Sequence, residues 1–305
     1  MIVEVAICTW NRATLLQMTL QRLTEIEIPS DTQFKVIVVD NNSTDQTAET
    51  LKQFQAKLDL LVVNERKQGH TFARNCAIKH ATGELLLWID DDVLVSDDWL
   101  SGYVQSARSQ SEVSFWGGPI EAKFMSPQPK WISDNWDKLQ GCFAVRDLGE
   151  AVIDFDEELL PYGANFAIRT EVQKKFPFQT SLGRTSDAVI GEDELQLLRR
   201  VLADGKRGAW VPESKVEHLI DSTRATTEYI HKYFVGQGRV LVAKQSSWTT
   251  NVAKLEQEAE HELFWYRIKR WFTKSDVWLS HLIRGSLAQG QHAALTSLDQ
   301  NSADV

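Results

Sequence analysis

The sequence contains few cysteines, and their arrangement fits neither a disulfide framework nor a zinc site. Among its 305 residues only Cys8, Cys76 and Cys142 are cysteines, and no Cys-x-x-Cys pair occurs. Zinc sites and small disulfide-rich folds need cysteines in closely spaced pairs. Both classes are therefore excluded, and the three thiols are expected to be small core residues of a protein in a reducing, cytoplasmic setting.

Long apolar runs and an excess of positive charge are also missing. No stretch of about 18 uncharged apolar residues occurs, so no transmembrane helix is expected. The N-terminal segment MIVEVAICTWNR lacks the basic and apolar regions of a signal peptide. The formal net charge of −9 argues against a nucleic-acid partner. These absences predict a cytoplasmic protein, with peripheral contact at the cytoplasmic face of the membrane as an open alternative.

Glycine-rich phosphate loops are absent as well. The segment CTWNRAT, which follows the first expected strand, contains no glycine, and no GxGxxG fingerprint or GxxxxGK[ST] P-loop is found. The phosphates of a bound nucleotide would therefore need another positive partner, and a metal ion could provide it.

The first hundred residues alternate between strand-like and helix-like segments. The strand-like runs are FKVIVVD, LDLLVVN and ELLLWID, preceded by a short strand over residues 3–8. Such an order predicts an α/β fold with a mostly parallel sheet and helices on both faces. Polar residues end three of these strands: Thr9 to Arg12 the first, Asp40 the second and Asp90 to Asp92 the fourth. Since ligands of such sheets bind beyond the carboxyl ends of the strands, these residues should meet at one edge.

The three consecutive aspartates suggest a metal site. In an extended strand Asp90 and Asp92 would share one face, while Asp91 would point to the other. At about 7 Å the two carboxylates would repel by roughly 2–4 kcal/mol, and a divalent cation would remove this repulsion. Oxygen ligands suit Mn²⁺ or Mg²⁺. The alternative is that an aspartate of the group only caps the turn or helix that follows.

A second acidic group opens a predicted helix in the segment IGEDELQLLRR. Glu192, Asp193 and Glu194 are favoured there by the helix dipole, which alone could explain one or two of them. The same position keeps a carboxyl group ionised and able to act as a base. His218 follows a short strand further along, and a lone histidine is more often structural than a ligand.

Five segments, taken together and in this order, resemble the inverting glycosyltransferases of family 2, which have the GT-A fold. They are VAICTWNRATLL, VIVVDNNSTDQT, ARNCAIKHATGELLLWIDDDV, GANFAIR and GEDELQLLRRVLADGKRGAWVPESKVEHLI, and they cover roughly residues 3–238. The resemblance implies a Rossmann-like, mostly parallel sheet and a helical C-terminal extension. The catalytic domain would span 1–224, with a nucleotide-binding half over about 1–110 and an acceptor-binding half over about 111–224. The extension would span 225–305.

The resemblance also implies an activity and a set of site residues. The enzyme would move a sugar from a nucleoside-diphosphate sugar, most often a UDP-sugar, to a hydroxyl of a glycan or lipid-linked acceptor. Contacts to the donor are expected from Thr9, Asn11, Arg12, Asp40, Asn42, Arg74, Asp90 and Asp91. The metal, Mn²⁺ or Mg²⁺, is expected at Asp92, Asp90 and His218. The base is expected to be Asp193, with Glu192 beside it, and the acceptor side is expected to include Asn165, Trp116 and Arg224.

One departure from the family pattern is found after the second strand. Many members have glycine after the aspartate that ends this strand, whereas this chain has Asn41 and Asn42. Asparagine tolerates left-handed backbone conformations, so we expect the loop to turn here as well.

The segment LFWYRIKRWFTKSDVWLSHLIRG, residues 263–285, carries five basic residues and one acid. Its apolar residues recur at helical spacings that could form one stripe: Phe264, Ile268, Trp271, Trp278 and Leu282. One interpretation is a pair of helices, broken near Ser275, that packs onto the catalytic domain. The other is an anchor at a membrane surface, close to a lipid-linked acceptor.

Three other functions stay open. A sugar nucleotidyltransferase would need a glycine-rich loop with a basic residue after the first strand, and this is missing. A glycoside hydrolase could use two carboxylates, but it would leave a metal site unexplained. A degenerate family member could bind a sugar nucleotide or a partner without catalysing transfer.

Overall fold

The computed structural model describes residues 1–180, 193–244 and 251–303. The described strands are β1 (Ile2–Thr9), β2 (Gln33–Asp40), β3 (Leu60–Asn64), β4 (Leu85–Ile89), β5 (Val93–Val95), β6 (Val113–Gly117), β7 (Ile120–Phe124), β8 (Asn165–Arg169), β9 (Arg207–Trp210) and β10 (Val216–Ile220). The described α-helices are α1 (Ala13–Leu23), α2 (Thr47–Phe54), α3 (His70–His80), α4 (Trp99–Ser109), α5 (Lys130–Ser133), α6 (Trp136–Leu139), α7 (Thr170–Lys175), α8 (Asp193–Ala203), α9 (Thr227–Lys244), α10 (Val252–Lys269) and α11 (Ser275–Ala303).

The chain divides into two compact units. In its described parts, the first unit contains residues 1–123, 143–180 and 193–220, and the second contains 124–142, 221–244 and 251–303. The division into a catalytic domain over 1–224 and an extension over 225–305 stays a prediction. The grouping of 124–142 with the C-terminal helices was not predicted from the sequence.

The first unit is built on a seven-stranded sheet with the order β3-β2-β1-β4-β8-β6-β9. Strand β1 pairs in parallel with both β2 and β4, and its last residue, Thr9, lies opposite Asp40. Strand β8 is antiparallel to both of its neighbours, β4 and β6. The predicted mostly parallel sheet is therefore confirmed, and the carboxyl ends of β1, β2 and β4 open on one edge.

Helices cover both faces of this sheet because its buried strands are apolar on both sides. Along β1, Val5 and Ile7 pack in one cluster with Leu16 and Leu20 of α1, whereas Ala6 belongs to a second cluster that includes residues of α3 and α8. Successive side chains of β1 therefore pack into two separate cores, one on each face of the sheet.

A three-stranded sheet with the order β5-β10-β7 lies in the same part of the chain. Strand β10 is antiparallel to β5 and places His218 opposite Val93. This pairing brings a histidine that is distant in sequence next to the residues that follow β4.

The second unit consists mainly of α9, α10 and α11 together with the short helices α5 and α6. Gly290 on α11 permits close helix packing, because a Cβ atom there would lie 2.0 Å from the Val235 carbonyl oxygen of α9. Trp131 and Trp278 pack with ring centroids 5.5 Å apart, which joins α5 to α11. No helix in the described part of the chain has the length and apolar character needed to cross a bilayer.

Candidate active site

The three aspartates lie in a turn rather than in a strand. Strand β4 ends at Ile89 and β5 begins at Val93, so strict alternation of faces does not apply and this part of the prediction was wrong. Two of the three carboxylates nevertheless converge as expected, since Asp90 and Asp92 offer oxygens to a common point. Thr19, which is fully buried, fixes the turn: its hydroxyl donates to the carbonyl oxygen of Asp91 over 3.0 Å and accepts from the Val93 amide over 3.2 Å.

Arg12 binds the other side of this turn. Its two terminal nitrogens donate to Asp91 Oδ1 and to Asp92 Oδ2, each over 2.7 Å. The Thr9 hydroxyl donates to the second oxygen of Asp91 over 2.7 Å. Both carboxylates are buried, and burial raises the pKa of Asp91 to about 7 although the positive charge of Arg12 opposes this. We call Arg12, Asp91 and Asp92 the Arg12 network.

Asp90, Asp92 and His218 form a candidate metal centre. Each offers one ligand atom, and these atoms lie within 4.8 Å of one another. His218 Nε2 is 3.3 Å from Asp92 Oδ2, while its Nδ1 is 2.7 Å from the Phe143 carbonyl oxygen. A carbonyl can only accept, so we assign the hydrogen to Nδ1, and a neutral ring then presents the lone pair of Nε2 to the cluster.

This donor set fits a divalent cation. Two carboxylates suit Mn²⁺ or Mg²⁺, and a histidine held through its other ring nitrogen is typical of a metal ligand. An ion about 2.1 Å from each ligand spans about 4.2 Å between opposite ligands, so movements of less than about 1 Å would close the site.

Arg74 forms a second network around the first turn of α8. One terminal nitrogen donates to Asp193 Oδ2 and to Glu194 Oε2, each over 3.1 Å, and the other lies 3.8 Å from Asp90 Oδ1. The guanidinium is buried and stacks over the ring of Phe178 at 4.9 Å. We call Arg74, Asp193 and Glu194 the Arg74 network.

Asp193 is the buried carboxylate expected to act as a base. Burial alone would raise its pKa, but the positive charge of Arg74 and the nearby ring of His70 hold it well below its usual range. His70 Nδ1 is 3.6 Å from Asp193 Oδ2. Oδ1 of Asp193 is buried and accepts no hydrogen bond within the described residues. The other acid assigned to this site, Glu192, lies outside the described residues.

The loop after β2 contributes residues beside the first strand. Asp40 is buried and its Oδ1 accepts from the Ser43 amide over 2.9 Å. Asn42 has φ of +72°, so asparagine does take the left-handed conformation that the missing glycine would have supplied. Asn11 also has positive φ, +53°, and its side-chain oxygen accepts from the Thr44 amide over 2.7 Å.

Two of the three residues expected on the acceptor side, Asn165 and Trp116, are buried rather than exposed. Asn165 is fully buried, and its amide donates to the carbonyl oxygens of Pro119 and Ser214. Trp116 is also fully buried, with Nε1 bonded to the side chain of Gln110. Both side chains therefore hold the core together, and their burial does not support the acceptor role.

Arg224, the third acceptor residue, belongs to the second unit. Its guanidinium donates to the Tyr229 hydroxyl over 2.9 Å, and that hydroxyl donates to the carbonyl oxygen of Cys142 over 3.0 Å. Its acceptor role stays a prediction.

Four residues that shape the site had no site role predicted from the sequence. Glu194 accepts from Arg74 and, through its other oxygen, from the Gly163 amide over 3.2 Å. Asn41 donates to the carbonyl oxygens of Glu65 and Lys67, each over 2.8 Å, which ties the loop after β2 to the chain after β3. The other two are Thr19 and His70. The signals that could have revealed them were an acid beside Asp193 and a polar residue on the apolar face of α1.

Solved structures with the same architecture identify the fold. The chain is similar to the mannosyltransferase PcManGT from Pyrobaculum calidifontis in complex with GDP-Man and Mn²⁺, with a TM-score of 0.59, 18% identity and coverage of 96% of this chain and 86% of that one. It is also similar to S. aureus TarS 1–349 in complex with UDP-GlcNAc, with a TM-score of 0.57, 16% identity and coverage of 99% and 92%. The fold is that of a GT-A enzyme.

The family follows from the sequence comparison. The model of Glycosyl transferase family 2 matches residues 4–174, more than half of the chain, and the chain belongs to this family. The chain is also 26% identical over 267 residues to the succinoglycan biosynthesis protein ExoM of Rhizobium meliloti (strain 1021), covering 79% of this chain and 76% of that protein. The resemblance seen in the sequence is confirmed, and the protein is a glycosyltransferase.

Proposed function

We propose that this enzyme transfers a sugar, with inversion, from a nucleoside-diphosphate sugar to a hydroxyl of a glycan or lipid-linked acceptor. In this proposal Asp193 is the base, and Asp90, Asp92 and His218 hold Mn²⁺ or Mg²⁺. The observation that carries it is the position of Arg74, which lies 3.1 Å from Asp193 and 3.8 Å from Asp90. One guanidinium thus links the proposed base to the proposed metal site.

Asp193 would remove the proton of the acceptor hydroxyl, whose oxygen then attacks the anomeric carbon on the face opposite the leaving diphosphate. Arg74 keeps this carboxylate ionised in the free enzyme, although a very low pKa also makes it a weak base. A diphosphate that binds beside Asp90 would compete for the positive charge of Arg74. Donor binding would then raise the pKa of Asp193 toward a range in which it accepts a proton more readily.

The metal, when bound, would neutralise the negative charge that develops on the departing diphosphate. Residues of the chain prepare that position. Arg12 and Thr9 fix the carboxylate of Asp91, which holds the turn between the two ligand aspartates. The nucleoside would lie against Asp40, Asn11 and Asn42.

The donor and the acceptor are proposed from the family and its neighbours. PcManGT was solved with GDP-Man and TarS with UDP-GlcNAc, so both neighbours bind nucleoside-diphosphate sugars. We propose a donor of this class, with UDP favoured by the family resemblance. ExoM is named for succinoglycan biosynthesis, which supports a role in polysaccharide synthesis and a growing glycan as the acceptor.

Replacing the proposed base gives the sharpest test. We expect Asp193→Asn to lower kcat by at least about 100-fold, because a general base is removed, while the donor affinity measured by calorimetry stays close to wild type. Asp204→Asn, an exposed position just beyond α8, is the matched control and should retain full turnover. Turnover near wild type in Asp193→Asn would remove this residue as the base and direct attention to Glu192.

A donor panel tests the substrate class and the metal together. Wild-type protein is assayed for transfer and for donor hydrolysis with several UDP- and GDP-sugars, with and without EDTA. We expect EDTA to abolish turnover and Mn²⁺ or Mg²⁺ to restore it. Full activity in EDTA would contradict the metal proposal, and donor binding without turnover under every condition would favour the alternative of a binding module.

A further inference from the structure

The turn between α10 and α11 exposes large apolar side chains. Trp271 and Phe272 are 71% and 83% exposed, and Phe264 and Ile268 on the last turns of α10 are 53% and 38% exposed. Exposed apolar surface on this scale marks an interaction site more often than a free surface. We refer to residues 264–274 as the α10–α11 corner.

The packing of the second unit leaves these side chains partly or largely exposed. Of the stripe predicted from the sequence, Trp278 and Leu282 are buried at 8% and 2% exposure, and the Trp278 ring packs 5.9 Å from that of Tyr266. The expected helix pair is therefore present, and the buried half of the stripe holds it together. The other half lies on the surface at the end of the pair.

Basic residues flank the exposed aromatic residues in the sequence. The cations of the corner are Arg267, Lys269, Arg270 and Lys274, and residues 263–275 contain no acid in a chain whose net charge is −9. Arg270 stacks over the Trp271 ring at 4.9 Å. The nearest acids in sequence are Glu262, which is bound by Arg284 and His281, and Asp276 at the start of α11.

We propose that the α10–α11 corner binds the surface of an anionic lipid bilayer, with Trp271 and Phe272 among the headgroups. Aromatic side chains favour this interface, and cations beside them are attracted to anionic lipids. Apolar side chains and cations are interspersed along the corner, which suits a charged headgroup layer better than the apolar core of a protein interface. The proposal goes beyond sugar transfer and does not depend on it, although a lipid-linked acceptor would be found at such a surface.

Vesicle flotation with the full chain tests this surface. We expect the wild-type protein to float with phosphatidylcholine vesicles that contain phosphatidylglycerol, to bind pure phosphatidylcholine weakly, and to bind less as salt is raised. Trp271→Ala combined with Phe272→Ala should lower the partition constant by at least about 10-fold, because two interfacial aromatic side chains are lost. Arg270→Glu combined with Lys274→Glu should remove the preference for anionic vesicles.

Matched controls come from exposed positions elsewhere. Leu61→Ala and the pair Lys52→Glu with Lys57→Glu should float like wild type, and transfer to a water-soluble acceptor should not change in any corner variant. No flotation of the wild-type protein, or equal flotation of the corner variants, would overturn the proposal. A sedimentation coefficient that falls in the corner variants without vesicles would overturn it in favour of a second copy of the chain. Failure of Asp193→Asn to lose turnover would leave this result unaffected.

Discussion

Two arginines at the same edge of the sheet each bind a pair of carboxylates, but they differ in exposure. The Arg12 side chain is 33% exposed and bridges Asp91 and Asp92, whereas that of Arg74 is 4% exposed and bridges Asp193 and Glu194. A partly exposed arginine can leave its carboxylate partners when a ligand binds. A buried arginine keeps its carboxylate partners ionised. We infer that the Arg12 network can rearrange when a ligand binds, whereas the Arg74 network keeps its carboxylates ionised in the free enzyme.

The two networks should differ most in how much the arginine of each contributes to the free energy of unfolding. We expect Arg74→Met to lower the free energy of unfolding by about 3–5 kcal/mol, because it leaves two carboxylates buried without a cation. Arg12→Met should cost less, about 1–3 kcal/mol, since water can reach part of the site. Urea unfolding of both variants measures this, and equal losses would break the distinction.

A smaller effect should appear in the pH dependence of stability. The folded-state pKa of Asp193 lies below its unfolded value near 3.9, so its stabilisation is present above about pH 4 and is lost as the pH falls. Asp91 is shifted upward, to about 7, so its ionisation costs stability as the pH rises from about 4 to 7.

We therefore expect Asp193→Asn to weaken the loss of stability below about pH 4, and Asp91→Asn to weaken the loss between about pH 4 and 7, each by about 1 kcal/mol. Urea unfolding in EDTA at pH 3, 5 and 7 separates the two. Parallel changes in both variants would mean that the two networks do not titrate differently.

The sequence was sufficient to predict the fold and the polar residues at the strand ends. Regular alternation and β-branched runs located β1 to β4, and the parallel pairing that they imply brought Thr9 and Asp40 to one edge. The conformation of the aspartate turn was not predictable, because an apolar run does not reveal where a strand ends. Convergence of Asp90 and Asp92 was expected for a reason that proved wrong.

Local sequence patterns could not predict contacts between residues that are distant in the sequence. Arg74 meets Asp193 across 119 positions of the sequence, and His218 reaches Asp92 only through the pairing of β10 with β5. The burial of Asn165 also could not be read from an isolated polar residue at a strand start. Each depends on tertiary contacts, whereas periodicity reports only the local segment.

Mn²⁺ binding by three single aspartate variants tests most directly whether the two networks have different roles. Mn²⁺ binding is measured by the electron paramagnetic resonance signal of the free ion, for the wild-type protein and for Asp92→Asn, Asp91→Asn and Asp193→Asn. We predict that Asp92→Asn weakens Mn²⁺ binding by at least about 10-fold, that Asp91→Asn has a milder effect, and that Asp193→Asn binds as wild type. Wild-type affinity in Asp92→Asn, or an equal loss in Asp193→Asn, would contradict the assignment of the metal to one network and the base to the other.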